Sequence, residues 1–375
     1  MEQKGTHSIV IIGAGPAGCS CAISLLNAGL SDVYIIDNAK GGKFHIGESI
    51  PPDMNFLLKQ LGVYESFLEE GHEPCYGSCS YWGSPLRGYN DSMLSPHGHG
   101  WHLDRSKYNQ FLVDESLKKG AKIIKEATYL GSQKTATGYQ IQYQKKRATQ
   151  KTLHADFVVD ATGSRGVFAT DRGSYKIQGT PLMCVGLRFK NKGNREVSKL
   201  THLESVEHGW WYAARIPGEY LLVTFYTTAG VVKELGLHDL QNWVYLLADA
   251  PNTRDLLSQM EPVENKVRGF NAVSFCLNTM VGEDWLAIGD TATTYDPITS
   301  QGITKATTQG ARAAEIIAYY LQGSKEALDQ YQKEVKAQYE YYLTSRSYFY
   351  NLEKRWKDSP FWKTMQAKEV LENVQ

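Results

Sequence analysis

The run Ile9-Val10-Ile11-Ile12-Gly13-Ala14-Gly15-Pro16-Ala17-Gly18 constrains this chain more than any other stretch. Four consecutive apolar residues read as a strand buried on both faces. A G-x-G-x-x-G turn follows at once, and Cys19 to Ala28 reads as a helix with small residues packed toward the strand. Gly13 permits the sharp turn, Gly15 lets a pyrophosphate approach the backbone, and Gly18 lets helix and strand pack closely. Pro16 and Ala17 lie in the turn, ahead of the helix N-terminus, whose unpaired N–H groups and dipole favour an anion. A second strand, Val33 to Ile36, ends at Asp37, placed to hydrogen-bond a ribose hydroxyl about 20 residues past the glycines. Strand, turn, helix and acid together point to a bound dinucleotide, where an isolated Gly-rich turn would not.

At 375 residues the chain can hold one large or two ordinary domains with a full core. Its 40 basic and 40 acidic residues cancel, so nothing in the charge balance draws it to nucleic acid or to an anionic membrane. The first apolar run opens the Gly-broken turn and is not a signal peptide, and no stretch of ~20 apolar residues predicts a spanning helix. Six cysteines do not suggest a disulfide framework; Cys19 and Cys21 fall in the first helix, Cys184 and Cys276 in apolar strands. His72, Cys75 and Cys79 are the only cluster of metal-like composition, and no second ligand pair lies nearby, so no metal is expected. The expectation is a soluble cytoplasmic protein of uncertain oligomeric state.

The pattern along the chain predicts an α/β fold with an α+β insert. A helix is expected around Asp53–Leu61, a short strand over Tyr76–Trp82, and a Gly/His/Pro-rich loop from Gly83 to Gly100. Tyr108–Lys119 has helical spacing, and Ala121–Ala127 returns to strand. Segments near Gly138–Tyr143 and Lys151–His154 suggest a β-meander, and Ala155–Asp160 is another buried strand, stopping at Ala161-Thr162-Gly163. Leu182–Phe189, Gly209–Ile216, Tyr220–Thr227 and Val267–Leu277 look like long antiparallel strands, interrupted by helices around Leu237–Asp249 and Thr253–Met260. Trp285–Ile288 restores a central strand, a helix follows over Gly302–Leu321, and Lys325–Lys368 is helical and crowded with aromatics. The resulting division assigns 1–75, 100–175 and 278–322 to a discontinuous nucleotide domain, 76–99 and 176–277 to an inserted substrate sheet, and 323–375 to a C-terminal helical segment.

The choice between a nicotinamide and a flavin rests on residues far from the first turn. Gly289-Asp290 ends an apolar strand, and Asp296-Pro297-Ile298-Thr299-Ser300-Gln301-Gly302-Ile303 opens a helix. A carboxylate at a strand end suits the hydroxyls of a ribityl chain. A Gly-containing turn into a helix N-terminus stabilises negative charge on a reduced isoalloxazine.

Gly13 to Gly18, Asp37, Ala161-Thr162-Gly163 and Gly289-Asp290 resemble the aromatic-hydroxylase type of FAD monooxygenase. The resemblance implies a Rossmann-like FAD domain with an inserted antiparallel sheet and C-terminal helices, and places Arg105, early in a helix, against the cofactor. Ile46-Gly47-Glu48-Ser49-Ile50-Pro51-Pro52 resembles the G-E-S/A-x-x-P element of flavin-dependent halogenases and their non-halogenating relatives, and Asp296 to Gly302 their D-P-x-x-S-x-G loop. Two departures oppose halide chemistry. The place of the halogenase lysine falls near Cys75, and no lysine lies between Lys59 and Lys107; in the place of W-x-W-x-I-P the tryptophan positions hold Tyr212 and Ala214. Compactness, the G-E-S element, the Gly-Trp-Trp-Tyr strand and the aromatic C-terminus are most similar to the flavoproteins that mature cysteine tryptophylquinone in lysine- and glycine-oxidase type quinoproteins.

That resemblance implies a monooxygenase in which a C4a-hydroperoxyflavin hydroxylates an aromatic ring, here a tryptophan of a quinoprotein precursor, with NAD(P)H or another reductant as transient electron donor. Indole is nucleophilic enough to need no obligatory base, so the protein's task is to exclude water, position the ring and protonate the leaving oxygen. Glu48, Ser49, Tyr212 and Pro297 are the candidate catalytic residues. Gly47, Glu48, Ser49, Pro297, Ser300, Gln301, Gly302 and Ile303 are expected at the isoalloxazine. Trp211, Tyr212 and Phe225 are candidates for the pocket wall, at least one of them packing the sheet's own core; His97, His99 and His102 are candidate proton donors. A hydroxylase or halogenase for a free small aromatic, and a non-catalytic flavin-bearing assembly factor, remain as alternatives.

Overall fold

A computed structural model describes residues 7–38, 48–146, 148–193 and 196–367. Its central sheet has six strands, in the order Val281–Gly282, Trp285–Ala287, Phe157–Asp160, Ile9–Ile12, Val33–Ile36, Lys122–Ile124. All neighbours are parallel except the first pair, a short antiparallel hairpin. Ile9–Ile12 lies between Phe157–Asp160 and Val33–Ile36, and all four of its residues are buried, as a strand covered on both faces requires. Helix Pro16–Asn27 packs against helix Gly302–Leu321 so closely that a Cβ on Gly310 would sit 2.4 Å from the Ala17 carbonyl oxygen. That backbone contact carries the late segment onto the first turn.

The second large sheet runs Met260–Pro262, Met183–Asn191, Tyr220–Thr227, Gly209–Ile216, Thr201–Val206, Gly77–Tyr81, Gly88–Asp91, with Arg268–Asn271 also pairing Met183–Asn191. It is antiparallel apart from the parallel pairing of Thr201–Val206 with Gly77–Tyr81. Both faces are covered. Alternation sends Trp211, Ala213, Val223 and Phe225 toward Trp243 and the helices beyond it, and Trp210, Tyr212, Ala214 and Tyr226 toward the C-terminal helices. Helix Pro251–Leu256 has no cap of its own; the buried Glu204 carboxylate on the sheet accepts the Thr253 N–H at 2.7 Å and hydroxyl at 2.7 Å. The sheet Ala127–Thr135, Gly138–Lys145, Lys151–Ala155 is the expected meander. Helix Glu326–Leu352 crosses back over the structure, and Trp362 of helix Pro360–Gln366 donates to the Val206 carbonyl at 2.9 Å.

Local chemistry accounts for the departures from the sequence expectation. The stretch 83–100 is not only a loop: Gly88–Asp91 forms an exposed edge strand, and Gly100–His102 pairs with Ser49–Ile50 and Glu73–Cys75. Thr201–Val206 is a strand that the sequence reading passed over. Val267–Leu277 splits into Arg268–Asn271 and Phe275–Leu277, in different sheets, where the Asn271 side chain accepts the Val273 N–H at 3.1 Å and turns the chain. Glu126, in the left-handed region at φ 54°, ends Lys122–Ile124 and starts Ala127–Thr135. The helices in the insert shorten to Leu240–Leu246 and Pro251–Leu256. The C-terminal run is two helices, the second capped by the Ser359 side chain ahead of Pro360. Among the described residues no helix is long and apolar enough to cross a membrane.

Candidate active site

The first turn shows which glycines are obligatory. Gly13 has φ +110°, and a Cβ there would lie 2.3 Å from the Ala161 carbonyl oxygen; a Cβ on Gly18 would lie 2.0 Å from the Gly13 oxygen. These two close the turn against its neighbours. Gly15 differs: a Cβ there meets nothing within 4 Å, so its backbone faces open space. Helix Pro16–Asn27, which Gly15 caps, has no side-chain cap and no acid in its first turn, leaving its N-terminal donors for an anion. Asp37 accepts the Ala14 N–H at 3.3 Å and so stands beside the turn. The buried Asp160 carboxylate fixes the facing strand end by accepting the Thr162 N–H at 3.0 Å, the Thr162 hydroxyl at 2.7 Å and the Ala169 N–H at 2.8 Å.

A cavity of about 460 Å³ opens in front of this turn. Gly15, Pro16 and Ala17 line one side with Ala161 and Gly163. Glu48 and Ser49 meet them at the start of the strand Ser49–Ile50, Arg105 from the first turn of the helix Arg105–Lys118, and Tyr212 from the large sheet. Asp290, Pro297, Ser300, Gly302 and Ile303 complete it from the late strand–loop–helix. Residues separated by hundreds of positions therefore share one wall. Gly13, Gly18, Asp37, Thr162, Gly289 and Gln301 are not on that wall: the first two pack the turn, Thr162 is bound to Asp160, and the Gly289 N–H donates to Gln309. Gly47 lies outside the described residues.

Two helix N-termini converge on the cavity. The second belongs to Gly302–Leu321, again with no side-chain cap and no first-turn acid. Ser300, in the left-handed region at φ 50°, makes the corner between the 3-10 turn Pro297–Thr299 and that helix. The loop is anchored from behind. The Asp296 carboxylate, 2 % exposed, accepts the Arg346 Nε at 3.2 Å and the Tyr350 hydroxyl at 2.9 Å, and the Asp296 N–H donates to Tyr342 at 2.7 Å. Burial pushes the Asp296 carboxyl up, with Arg346 and the hydrogen bonds opposing it. Asp290, half exposed, pairs with the buried Lys305 ammonium at 2.8 Å, which also donates to the Thr293 carbonyl and lies over the Tyr295 ring. Burial pulls the Arg105 guanidinium below its ordinary value, opposed by the nearby Glu48, Tyr108 and Asp290. The Tyr212 and Tyr226 phenols are pushed well up, chiefly by burial and further by Glu48, so both remain protonated.

These features fit an extended dinucleotide: open backbone at Gly15, two donor-rich helix ends, and the Asp290 carboxylate on the wall, with Asp37 beside the turn rather than on that wall. Lys176, Gln178, Tyr226 and Tyr295 also line the cavity, and Lys305 and Arg346 act behind it. No sequence motif marks them; only their apolar or helical context was legible. Two expectations are corrected. Trp211 and Phe225 do not wall the pocket but pack with Trp243 on the other face, because adjacent strand residues point to opposite sides. His97, His99 and His102 do not line the cavity: His99 is held against the Gly100 carbonyl at 2.8 Å, His102 is buried with its imidazole pushed down to about 3, and the His97 ring lies against Phe56. His72, Cys75 and Cys79 are used separately, the first accepting the Asp104 N–H, the second donating to the Gly77 carbonyl, the third set 3.0 Å from His202 Nδ1. Among the described residues no group of three His, Cys, Asp or Glu side chains gathers to hold a metal ion.

The family model for tryptophan halogenases matches residues 8–89 and 83–375. The chain is 27% identical over 370 residues to LodB of Marinomonas mediterranea, a protein assigned as an FAD-dependent oxidoreductase, covering 98% of this chain and 99% of LodB. The myxobacterial chondrochloren halogenase CndH superposes with a TM-score of 0.89 at 18% identity, covering 96% of this chain and 86% of CndH. QhpG, a peptidyl tryptophan dihydroxylase essential for tryptophylquinone cofactor biogenesis, superposes with a TM-score of 0.76 at 20% identity, covering 99% and 81%. With a flavin-dependent halogenase fold and a cavity lined by the first Gly-rich turn and the late strand–loop–helix, the chain belongs to the tryptophan halogenase family of FAD-dependent enzymes.

Proposed function

We propose that this chain is an FAD-dependent monooxygenase that hydroxylates a tryptophan side chain of a partner polypeptide, a quinoprotein precursor, on its way to a tryptophylquinone. One observation carries the choice of oxygen transfer over halide chemistry. Near the place where halogenases hold their lysine, this protein has the Cys75 thiol, buried and bonded to the Gly77 carbonyl, while the cavity wall beside it presents the hydroxyls of Ser49 and Tyr212. The match over nearly the whole of LodB supports an FAD-dependent oxidoreductase, and the likeness to a peptidyl tryptophan dihydroxylase supports a protein-borne substrate.

Bound FAD would supply the oxygen-activating chemistry, after reduction by NAD(P)H or another donor. The rest is the work of this chain's residues. Gly15, Pro16, Ala17 and the first helix end would hold the pyrophosphate, Asp37 a ribose hydroxyl, Asp290 the ribityl chain and Arg105 the flavin. Pro297 and the Ser300-Gln301-Gly302-Ile303 turn would lie along the ring, the second helix end facing its pyrimidine side. Glu48 and Tyr212 would orient the indole, and the phenol would donate a hydrogen bond to oxygen. Segments 1–75, 100–175 and 278–322 would carry the cofactor and 76–99 and 176–277 the substrate face. All six cysteines are free and buried, as suits a cytoplasmic protein.

The test is aerobic incubation of the FAD-loaded, reduced protein with an unmodified quinoprotein precursor, followed by peptide mass spectrometry. The expected result is one or two added oxygen atoms on a tryptophan. An untouched precursor together with rapid hydroxylation of free tryptophan or a simple phenol would move the substrate to the small-molecule class. Enzyme-dependent bromination of an indole in the presence of bromide would return the chain to halide chemistry.

A further inference from the structure

Behind the cavity wall a row of hydroxyls leads to a buried imidazole. The Tyr212 phenol oxygen lies 2.6 Å from Ser49 Oγ, Ser49 Oγ 2.8 Å from Thr201 Oγ1, and Thr201 Oγ1 2.9 Å from His102 Nε2. Tyr212 and Ser49 line the cavity; Thr201 and His102 do not. The row exists because three chain segments meet here: Ser49 and His102 face one another across an antiparallel pair, and Thr201 starts a strand of the large sheet. His102 is fully buried, and its other nitrogen, Nδ1, has no hydrogen-bond partner among the described residues.

That orphan nitrogen sets the direction of the row. A neutral imidazole carries one proton. A proton on Nδ1 would leave a buried donor unpaired, while a proton on Nε2 points at Thr201; an unpaired lone pair is the lesser penalty. The imidazole stays neutral at ordinary pH because burial, with His202 and Arg215 nearby, pulls its pKa down to about 3. Each hydroxyl has a single proton to give. If His102 Nε2 donates to Thr201, then Thr201 donates to Ser49 and Ser49 to the phenol oxygen, leaving the Tyr212 proton to face the cavity. The competing arrangement sends the Thr201 proton to the Cys75 sulfur, 3.7 Å away, and the Tyr212 proton back to Ser49. Sulfur is the weaker acceptor and the contact the longer one.

We propose that His102 and Thr201 are positioning residues which polarise the Ser49–Tyr212 pair toward the cavity, so that Tyr212 offers its hydroxyl proton to the oxygen handled there. The role assigned to that oxygen rests on the monooxygenase reading above; the direction of the row does not.

The direction is tested by NMR on isotope-labelled histidine in the flavin-free and the FAD-loaded protein. The His102 signal is assigned by its loss in His102→Gln, or through its proximity to the Thr201 methyl group if that variant does not fold. The expected spectrum shows Nε2 protonated and Nδ1 bare near neutral pH. The reverse tautomer, or an imidazolium, overturns the proposal whatever the protein's substrate. The coupling is tested by hydrogen peroxide release from the reduced, FAD-loaded protein in air, with no substrate present. Thr201→Val and Tyr212→Phe should each change that rate by roughly 3–10-fold in the same direction, the scale of one hydrogen bond. The double variant should add nothing further, and Thr201→Ser should match the unaltered protein. An unchanged rate in Thr201→Val with FAD still bound, or strictly additive effects, overturns the proposal. Failure of the precursor to gain oxygen overturns the monooxygenase reading alone.

Discussion

The Asp296–Arg346 pair makes a sharp stability prediction, because both ends are nearly sealed from water: the side chains are 2 % and 3 % exposed. Arg346→Met removes the cation and leaves the carboxylate with neutral donors only, the Tyr350 hydroxyl at 2.9 Å and the Ile298 N–H at 2.9 Å. Breaking one side of a buried pair in this way costs about 3–5 kcal/mol. The unfolding entropy of a chain of 375 residues, at ~2.1 cal/mol/K per residue, converts that loss into a Tm about 4–6 °C lower. The flavin-free protein should be followed by intrinsic tryptophan fluorescence on heating. The double variant Asp296→Asn with Arg346→Met should recover at least half of the loss, since no uncompensated charge remains buried. FAD retention should fall in the single variant as well, because Asp296 begins the loop that reaches the cavity through Pro297 and Ser300. A Tm shift under about 1 °C in Arg346→Met, or a double variant as unstable as the single one, would refute the reasoning.

Three further outcomes are expected. Gly15→Ala should leave the stability of the flavin-free protein within about 0.5 kcal/mol, since φ is −76° and nothing lies within 4 Å of the added methyl, while FAD affinity falls; Gly13→Ala should destabilise the fold itself, as urea denaturation of the two variants will show. Asp290→Asn should weaken FAD binding by the worth of a charge-assisted hydrogen bond, about 1.5–3 kcal/mol, measured by flavin fluorescence; retention equal to that of the unaltered protein would remove Asp290 from the ribityl site. His72, His102 and His202 have imidazoles pulled down by burial to about 4, 3 and 4. The unfolded chain therefore binds protons that the folded one refuses, so stability should be at its full value above pH 6.5 and drop steadily as pH falls toward 4; a urea midpoint that stays level from neutral pH down to about 5 would contradict this.

The nucleotide turn, the central strands and the cofactor class were legible because each rests on local physics. A run of four apolar residues, a glycine with no room for a Cβ, and a helix start with no acid constrain a few consecutive residues and leave their mark in those residues. The same logic found Asp290, Pro297 and Ser300, since a strand end and a turn into a helix have their own spellings. What the sequence could not decide is which distant side chains meet. Trp211 and Tyr212 are neighbours of similar character, and only the sheet's orientation sends the phenol to the cavity and the indole to the opposite core. Lys305, Arg346 and Thr201 sit in ordinary helices and a strand with no motif around them, and His102 stood out only as one histidine of a Gly-rich stretch. Each acquires its place through a partner at long range: Asp290, Asp296 and Ser49, and for His102 through Thr201. Burial lowers the local dielectric and raises the cost of every unpaired group, so charge pairing and proton order are properties of the packed interior, and a linear pattern of residue types does not contain them.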